Sequence, residues 1–126
     1  MATVKILNVE YDVETTTKLY LYNRGLTEIP KEIFELKNLE ELNLSQNQIS
    51  KIPKEIKELK KLKGLYLNRN QITNISKNIS EIKNLIELDI SNNQISKVPK
   101  EIFELKRLEM LHLYKNKINK KYEKKY

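Results

Sequence analysis

Three side chains in this sequence could take part in acid–base chemistry or bind a metal. Glu87 and Asp89 lie two residues apart, so on a strand they would share one face. The single histidine, His112, would lie beside Asp89 if neighbouring strands begin 23 residues apart. Carboxylates and an imidazole can hold a divalent cation or exchange protons. We predict an ordinary cross-strand ion pair instead, because such a site would be open to water and would lack a nucleophile.

The remaining composition does not support enzymatic activity. The glycines are Gly25 and Gly64, so the sequence has no glycine-rich phosphate loop. It has no cysteine, which favours a cytoplasmic location, with a mature secreted protein as the alternative. No apolar run is long enough to span a membrane. We therefore predict no enzyme, no cofactor, no metal and no membrane contact.

The elements that position these side chains come from an internal repeat of 23 residues. In the clearest unit the apolar positions are Leu39, Leu42, Leu44, Ile49, Ile52, Ile56 and Leu59. The pattern recurs from residues 62, 85 and 108, and in a weaker form from residue 16. A fixed period of this length is typical of a solenoid, in which each coil covers the apolar edge of the next.

The spacing within a unit predicts a strand followed by a helical return. Leu42 and Leu44 are two residues apart, which places both side chains on one face of a strand. Ile56 and Leu59 are three apart and follow Pro53, a residue that suits the first position of a helical turn. Because the strands of successive coils lie side by side, we expect one parallel sheet. Ser76 replaces the proline in the third unit, and we expect a looser return there.

An asparagine follows the strand in four units, at Asn47, Asn70, Asn93 and Asn116. At this point the chain turns and leaves backbone N–H and C=O groups pointing inward. A buried amide can donate twice and accept twice, so each asparagine should satisfy these groups and link adjacent coils. The first unit has Arg24 in this place, where a terminal coil has one neighbour fewer.

This pattern resembles the leucine-rich repeat family. The match runs through Leu42, Leu44, Asn47, Ile49, Ile52, Pro53, Ile56 and Leu59. The proline-isoleucine return is similar to that of intracellular, Ras-suppressor-like proteins and of bacterial and viral repeat proteins. The resemblance implies a right-handed, horseshoe-shaped α/β solenoid, with a parallel β-sheet on the concave face and short helical or 3₁₀ returns on the convex face. We expect capping strands in residues 1–15, the repeat domain in 16–119 and a basic tail in 120–126.

The resemblance also implies a curved surface that binds a protein. Because the inward side chains are used in packing, we predict that the partner contacts the outward strand positions. These are Tyr20, Tyr22, Asn43, Tyr66, Asn68, Glu87, Asp89, His112 and Tyr114. Tyrosine is enriched in binding hot spots, and Gly64 should leave a dip beside Tyr66 for a partner's side chain. On the convex side, we expect Phe34 and Phe103 to pack against neighbouring returns.

Two other functions are consistent with the sequence. The net charge is +7, and residues 114–126 supply +5 of it, so the tail could bind nucleic acid or another acidic surface. Tyr122 and Tyr126 lie between the tail's lysines and could stack on bases. The nearly balanced body makes nucleic acid the less favoured partner. Alternatively, an open C-terminal coil could pair with a second copy, which would give a weak homodimer or a structural role in place of a monomer.

Overall fold

The computed structural model describes residues 1–118, in which two initial strands are followed by strands that alternate with 3₁₀ segments. The strands are β1 (Thr3–Ile6), β2 (Val9–Asp12), β3 (Lys18–Tyr20), β4 (Glu41–Asn43), β5 (Gly64–Tyr66), β6 (Glu87–Asp89) and β7 (Met110–His112). The 3₁₀ segments, called returns below, are Lys31–Glu35, Lys54–Glu58, Lys77–Glu81 and Lys100–Glu104. The predicted basic tail lies outside the described residues.

Strands β3 to β7 form one parallel sheet in chain order. Each residue pairs with the residue one repeat later, as Leu19 does with Leu42 and Leu42 does with Leu65. Neighbouring strands are therefore aligned with an offset of one repeat period, 23 residues. The solenoid fold predicted from that period is confirmed. Neighbouring strands lie about 4.8 Å apart, so a row of equivalent side chains across all five strands is about 19 Å long.

The core lies between the sheet and the returns. The central leucine of each strand from β3 to β6 points inward and is buried, and so are the isoleucines Ile33, Ile56, Ile79 and Ile102 of the returns. A single coil could not bury these side chains alone, because its apolar surface is covered only by the neighbouring coils. The stacking of coils therefore supplies the core that no coil has by itself.

The prolines lie one residue before the returns, at the N-cap position, and not at the first helical position that the sequence suggested. The carbonyl of Pro53 accepts a hydrogen bond from the Ile56 N–H at 3.1 Å. Ser76 makes the same backbone contact to Ile79, and its hydroxyl also accepts a hydrogen bond from the Asn78 N–H at 3.2 Å. The return after Ser76 therefore keeps the backbone hydrogen bond of the other returns and gains a side-chain cap that proline cannot provide.

Each coil turns away from its strand through one residue with left-handed backbone geometry. These residues are Asn23, Gln46, Arg69, Asn92 and Lys115, with φ between 55° and 58°. The turn directs the next residue inward, and in four coils that residue is the repeated asparagine. Glycine and asparagine adopt this geometry most readily, so the fold accepts some backbone strain at Gln46, Arg69 and Lys115.

The asparagine amides bridge the coils. Asn70 accepts a hydrogen bond from the Ile49 N–H at 3.0 Å and donates to the Leu44 and Leu67 carbonyls at 3.0 and 3.1 Å. Asn93 makes the equivalent contacts one coil further on. In the first unit the N–H of Arg24 donates to the Asn47 side chain, so the missing amide there is supplied by the next coil.

The two ends of the solenoid differ. β1 and β2 form an antiparallel pair that contacts the first return and buries Val4 and Ile6 against the core. In the last coil, by contrast, Leu111 and Leu113 are only half-buried, whereas their equivalents Leu88 and Ile90 are completely buried. Among the described residues, the N-terminal end is thus the better covered one.

Replacing Asn70 by alanine should lower the free energy of unfolding by about 2 kcal/mol, because buried backbone groups on two coils lose their partner. Urea unfolding followed by circular dichroism measures this change. The matched control is Asn68→Ala, whose side chain lies on the concave face and should matter by less than about 0.5 kcal/mol. Equal unfolding midpoints for the two variants would contradict the bridging role.

Candidate functional site

The concave face consists of the outward side chains of β3 to β7 together with Tyr22, Asn68 and Tyr114, which follow three of the strands. The structure places all nine predicted site residues on this surface. Tyr20, Tyr22 and Tyr114 are exposed. The half-buried members are Asn43, Tyr66, Asn68, Glu87, Asp89 and His112. Ser45 and Ser91, which occupy outward positions too, are buried.

Glu87 lies at the centre of a hydrogen-bond network that crosses three strands. The Tyr66 hydroxyl donates to Glu87 Oε1 at 2.9 Å, and His112 Nε2 lies 2.9 Å from Glu87 Oε2. His112 is the register neighbour of Asp89, but its ring contacts Glu87 on the diagonal. The predicted cross-strand pair is therefore present with a different carboxylate, and it is an ion pair when His112 is protonated.

Asp89 and Asn43 have local roles that the sequence analysis missed. Asp89 Oδ1 accepts hydrogen bonds from the N–H and the hydroxyl of Ser91, at 3.0 and 2.7 Å. Asn43 makes the same two contacts with Ser45, at 3.0 and 2.7 Å. The available signal was an aspartate or asparagine placed two residues before a serine, which is the spacing of an Asx turn. These side chains fix the ends of β4 and β6.

The dip predicted at Gly64 is present, and the ring of Tyr66 forms one of its walls. It is a depression of about 240 Å³ at the strand starts, lined by Glu40, Glu41, Lys63, Gly64, Tyr66, Ile86, Glu87 and Met110. A Cβ atom at Gly64 would lie 2.9 Å from the Tyr66 hydroxyl and 3.0 Å from its ring. A larger residue at this position would therefore displace the phenol ring, which folds back over the backbone of its own strand.

The convex side differs from the sequence prediction at one of its two phenylalanines. Phe34 is 7% exposed and packs in the core, as expected, whereas Phe103 is 52% exposed. A wider groove of about 910 Å³ runs beside the first two returns, with Phe34, Pro53 and Glu55 among its lining residues. No pattern in the sequence indicated this groove.

The charged side chains of the concave face are engaged with neighbouring groups. Residues 1–118 contain no group of three or more histidine, cysteine, aspartate or glutamate side chains that could hold a metal ion. Both carboxylate oxygens of Glu87 are already engaged by neighbouring side chains. In the same part of the chain, no helix has both the length and the apolar character needed to cross a bilayer.

The pKa of Tyr66 is raised from 10.0 to about 12. Burial of the phenol is the largest cause, followed by its hydrogen bond to Glu87 and by the negative charges of Glu87 and Glu41. The folded protein thus favours the neutral phenol. Because the pKa is higher in the folded state, this preference stabilises the fold fully below pH 10 and is lost as the pH rises from 10 through 12.

Spectrophotometric titration of tyrosinate absorbance should therefore show one tyrosine that ionises near pH 12. Tyr66→Phe should remove that step. Glu87→Gln should move it to lower pH, because the substitution removes a negative charge next to the phenol. If the high-pH step persisted in Tyr66→Phe, the hydrogen bond to Glu87 would not hold the phenol as described.

Comparisons with known proteins agree with this architecture. A family model described as a leucine-rich repeat region matches residues 18–124. A search of curated protein sequences finds no significant match. A leucine-rich-repeat protein of Leptospira interrogans is 35% identical with a TM-score of 0.78, and the alignment covers 86% of this chain and 34% of that protein.

Two further solved structures show the same fold. An internalin of Listeria monocytogenes is 32% identical with a TM-score of 0.66, over 73% of this chain and 27% of that one. The plant peptide hormone receptor RGFR1, in complex with RGF2, is 29% identical with a TM-score of 0.71, over 82% of this chain and 17% of that one. This chain therefore spans about a third of the first of the three proteins, and less of the others. On the evidence of the family model and the repeat geometry, the chain belongs to the leucine-rich repeat proteins, whose fold is commonly a protein–protein interaction module.

Proposed function

We propose that this chain binds a protein partner on its concave face and catalyses no reaction. The proposal rests on the positions of the exposed apolar side chains. Tyr20, Tyr22, Met110 and Tyr114 are 48%, 55%, 44% and 59% exposed, and all four lie on the concave face. Within residues 1–118, the other exposed large hydrophobic side chains are Met1, Leu7, Val9 and Phe103. Three of those four belong to the N-terminal segment around β1 and β2, so among the repeats the concave face collects nearly all of this surface.

Tyrosine suits a binding surface because it offers a large contact area with few rotatable bonds. Tyr20 and Tyr22 lie at the N-terminal end of the face, and Tyr114 lies at the opposite end. Between them, Glu87 holds Tyr66 and His112 in fixed positions. A partner would therefore meet a centre that is already ordered, which lowers the entropy lost on binding.

The comparisons support this proposal at the level of the fold. RGFR1, one of the similar solved structures, was determined in complex with RGF2. The present chain covers a small share of that receptor, so its own partner is inferred from its own surface. We further propose an intracellular location, which rests on the cysteine-free sequence.

The concave face does not favour nucleic acid as the partner. Its charged residues are Glu41, Glu87 and Asp89 against Lys18, a net charge of −2 with His112 neutral, in a chain of net charge +7. Binding to a phosphate backbone requires the opposite sign. The alternative of nucleic-acid binding through the tail rests on residues outside the described part of the chain.

Replacing Tyr20 and Tyr22 together by alanine should weaken binding of the partner at least about tenfold, because the face loses two large contact surfaces. The partner is isolated by affinity capture from the organism that encodes the chain, and its affinity is then measured by calorimetry. Both side chains are about half exposed, so the melting temperature should change by only a few degrees. Phe103→Ala, which removes an equally exposed aromatic side chain from the convex side, is the matched control. Unchanged affinity in the tyrosine variant, or equal losses in both variants, would refute the assignment to the concave face.

The second candidate is weak self-association through the last coil, where Leu111 and Leu113 are half-buried. β7 is the outermost described strand of the sheet on this side, and an edge strand beside apolar side chains favours pairing with another strand. Sedimentation velocity over a range of protein concentrations tests this candidate. A sedimentation coefficient that rises with concentration is expected, and a Leu113→Lys variant should abolish the rise. A constant coefficient at the value expected for a single chain of 15.0 kDa would identify a monomer and contradict this candidate.

A further inference from the structure

We infer that the partner places a lysine or arginine side chain in the depression beside Tyr66. This inference rests on the concave-face binding proposed above and names the chemistry of the segment that is bound. The depression opens on the concave face where β4, β5, β6 and β7 begin, and its volume is about 240 Å³. That is space for one long side chain, whereas the tyrosines around it supply flat contact area.

The walls of the depression are apolar on one side. Met110 is exposed, Ile86 is half-buried and the ring of Tyr66 lies over Gly64. Lysine and arginine carry a long apolar stem that packs well on such a surface while the charged end reaches a polar region. A short polar side chain would leave these walls uncovered.

The lining of the depression is also acidic. Its lining contains Glu40, Glu41 and Glu87 against one cation, Lys63, which is a net charge of −2. A wholly apolar side chain seated here would remove carboxylates from water without giving them a new partner, which is unfavourable. A cation at the end of an apolar stem satisfies both sides of the depression.

Two of the carboxylates are held only loosely. Glu41 lies 3.5 Å from the Lys18 amine, and Glu40 lies 3.4 Å from the Lys63 amine. Charge-assisted hydrogen bonds are shorter, at about 2.7–2.9 Å. Both lysine side chains are more than half exposed, so they are readily displaced. Glu87 differs, since both of its oxygens are engaged within the sheet. The geometry therefore leaves Glu40 and Glu41 to receive the partner's cation.

The rim beyond the strand ends is basic, whereas the depression at the strand starts is acidic. Arg69 and Lys115 are exposed where β5 and β7 end. The charge thus changes sign between the depression at the strand starts and the rim that lies beyond the strand ends, next to the concave face. A basic side chain of the partner is attracted to the depression and repelled from the other edge, which gives the bound segment a defined orientation.

A phage-displayed library of random linear dodecapeptides, selected on the full chain, provides the probe. The selected peptides should share a lysine or arginine whose replacement by methionine abolishes binding. The double variant Glu40→Gln/Glu41→Gln should weaken binding of these peptides about tenfold. Lys63→Gln should strengthen it about threefold, because the cation that competes for Glu40 is gone. The control is Glu55→Gln, which neutralises one carboxylate in the convex groove and should leave the affinity unchanged.

The outcomes separate this inference from the proposed function. Peptides that need Tyr20 and Tyr22 but carry no essential basic residue would overturn the inference and leave concave-face binding in place. Peptides whose affinity is unchanged by replacement of Tyr20 and Tyr22 but is altered by Glu55→Gln would place binding in the convex groove. That result would overturn both the inference and the proposed function. A selection that yields no binding sequence would also count against both. Loss of affinity in Lys63→Gln would contradict the exchange of cations on Glu40.

Discussion

The buried amide that joins each coil to the next is the interaction on which the rest of the structure depends. Where the chain leaves a strand and turns, its backbone groups face the core and cannot reach water. Asn47, Asn70 and Asn93 are buried at these turns, and each is hydrogen-bonded to two coils at once. The left-handed residue before each asparagine makes this inward direction possible, at the cost of strain where that residue is Gln46, Arg69 or Lys115. Because the same contacts recur in four successive coils, neighbouring coils keep the same separation and the same rotation.

The binding surface follows from that regularity. Once the coils are locked in register, the outward side chains of five strands form straight rows, and residues distant in the sequence become neighbours. Tyr66, Glu87 and His112 come from three successive coils and form one network only because their strands are aligned. The concave face is thus rigid at its centre and carries exposed tyrosines at both ends. A partner meets it with little rearrangement of the backbone, which is the arrangement that favours selective recognition.

The sequence predicts the features that depend on the repeat period. It does not predict the contacts that depend on which rotamer a side chain adopts. Strand, return and sheet register follow from the spacing of leucines and isoleucines, because any other alignment would expose them. The contact between His112 and Glu87 does not follow, since Asp89 is the nearer neighbour in register and only the occupied rotamers decide between them. The position of the Tyr66 ring over Gly64 is a choice of the same kind. Burial of Phe34 but not of Phe103 depends on which elements surround each return, and the repeat pattern carries no information about that.

Successive coils pack against each other through equivalent contacts, and this equivalence has an evolutionary consequence. A crossover between two misaligned copies of the gene that adds or removes one full period of 23 residues preserves all the bridging contacts, because each coil meets an equivalent neighbour before and after the event. A change that is not a whole number of periods breaks the register and exposes the core. The chain can therefore lengthen or shorten its concave face in whole steps of one strand, and each step brings a new set of outward residues to selection while the scaffold beneath them stays intact.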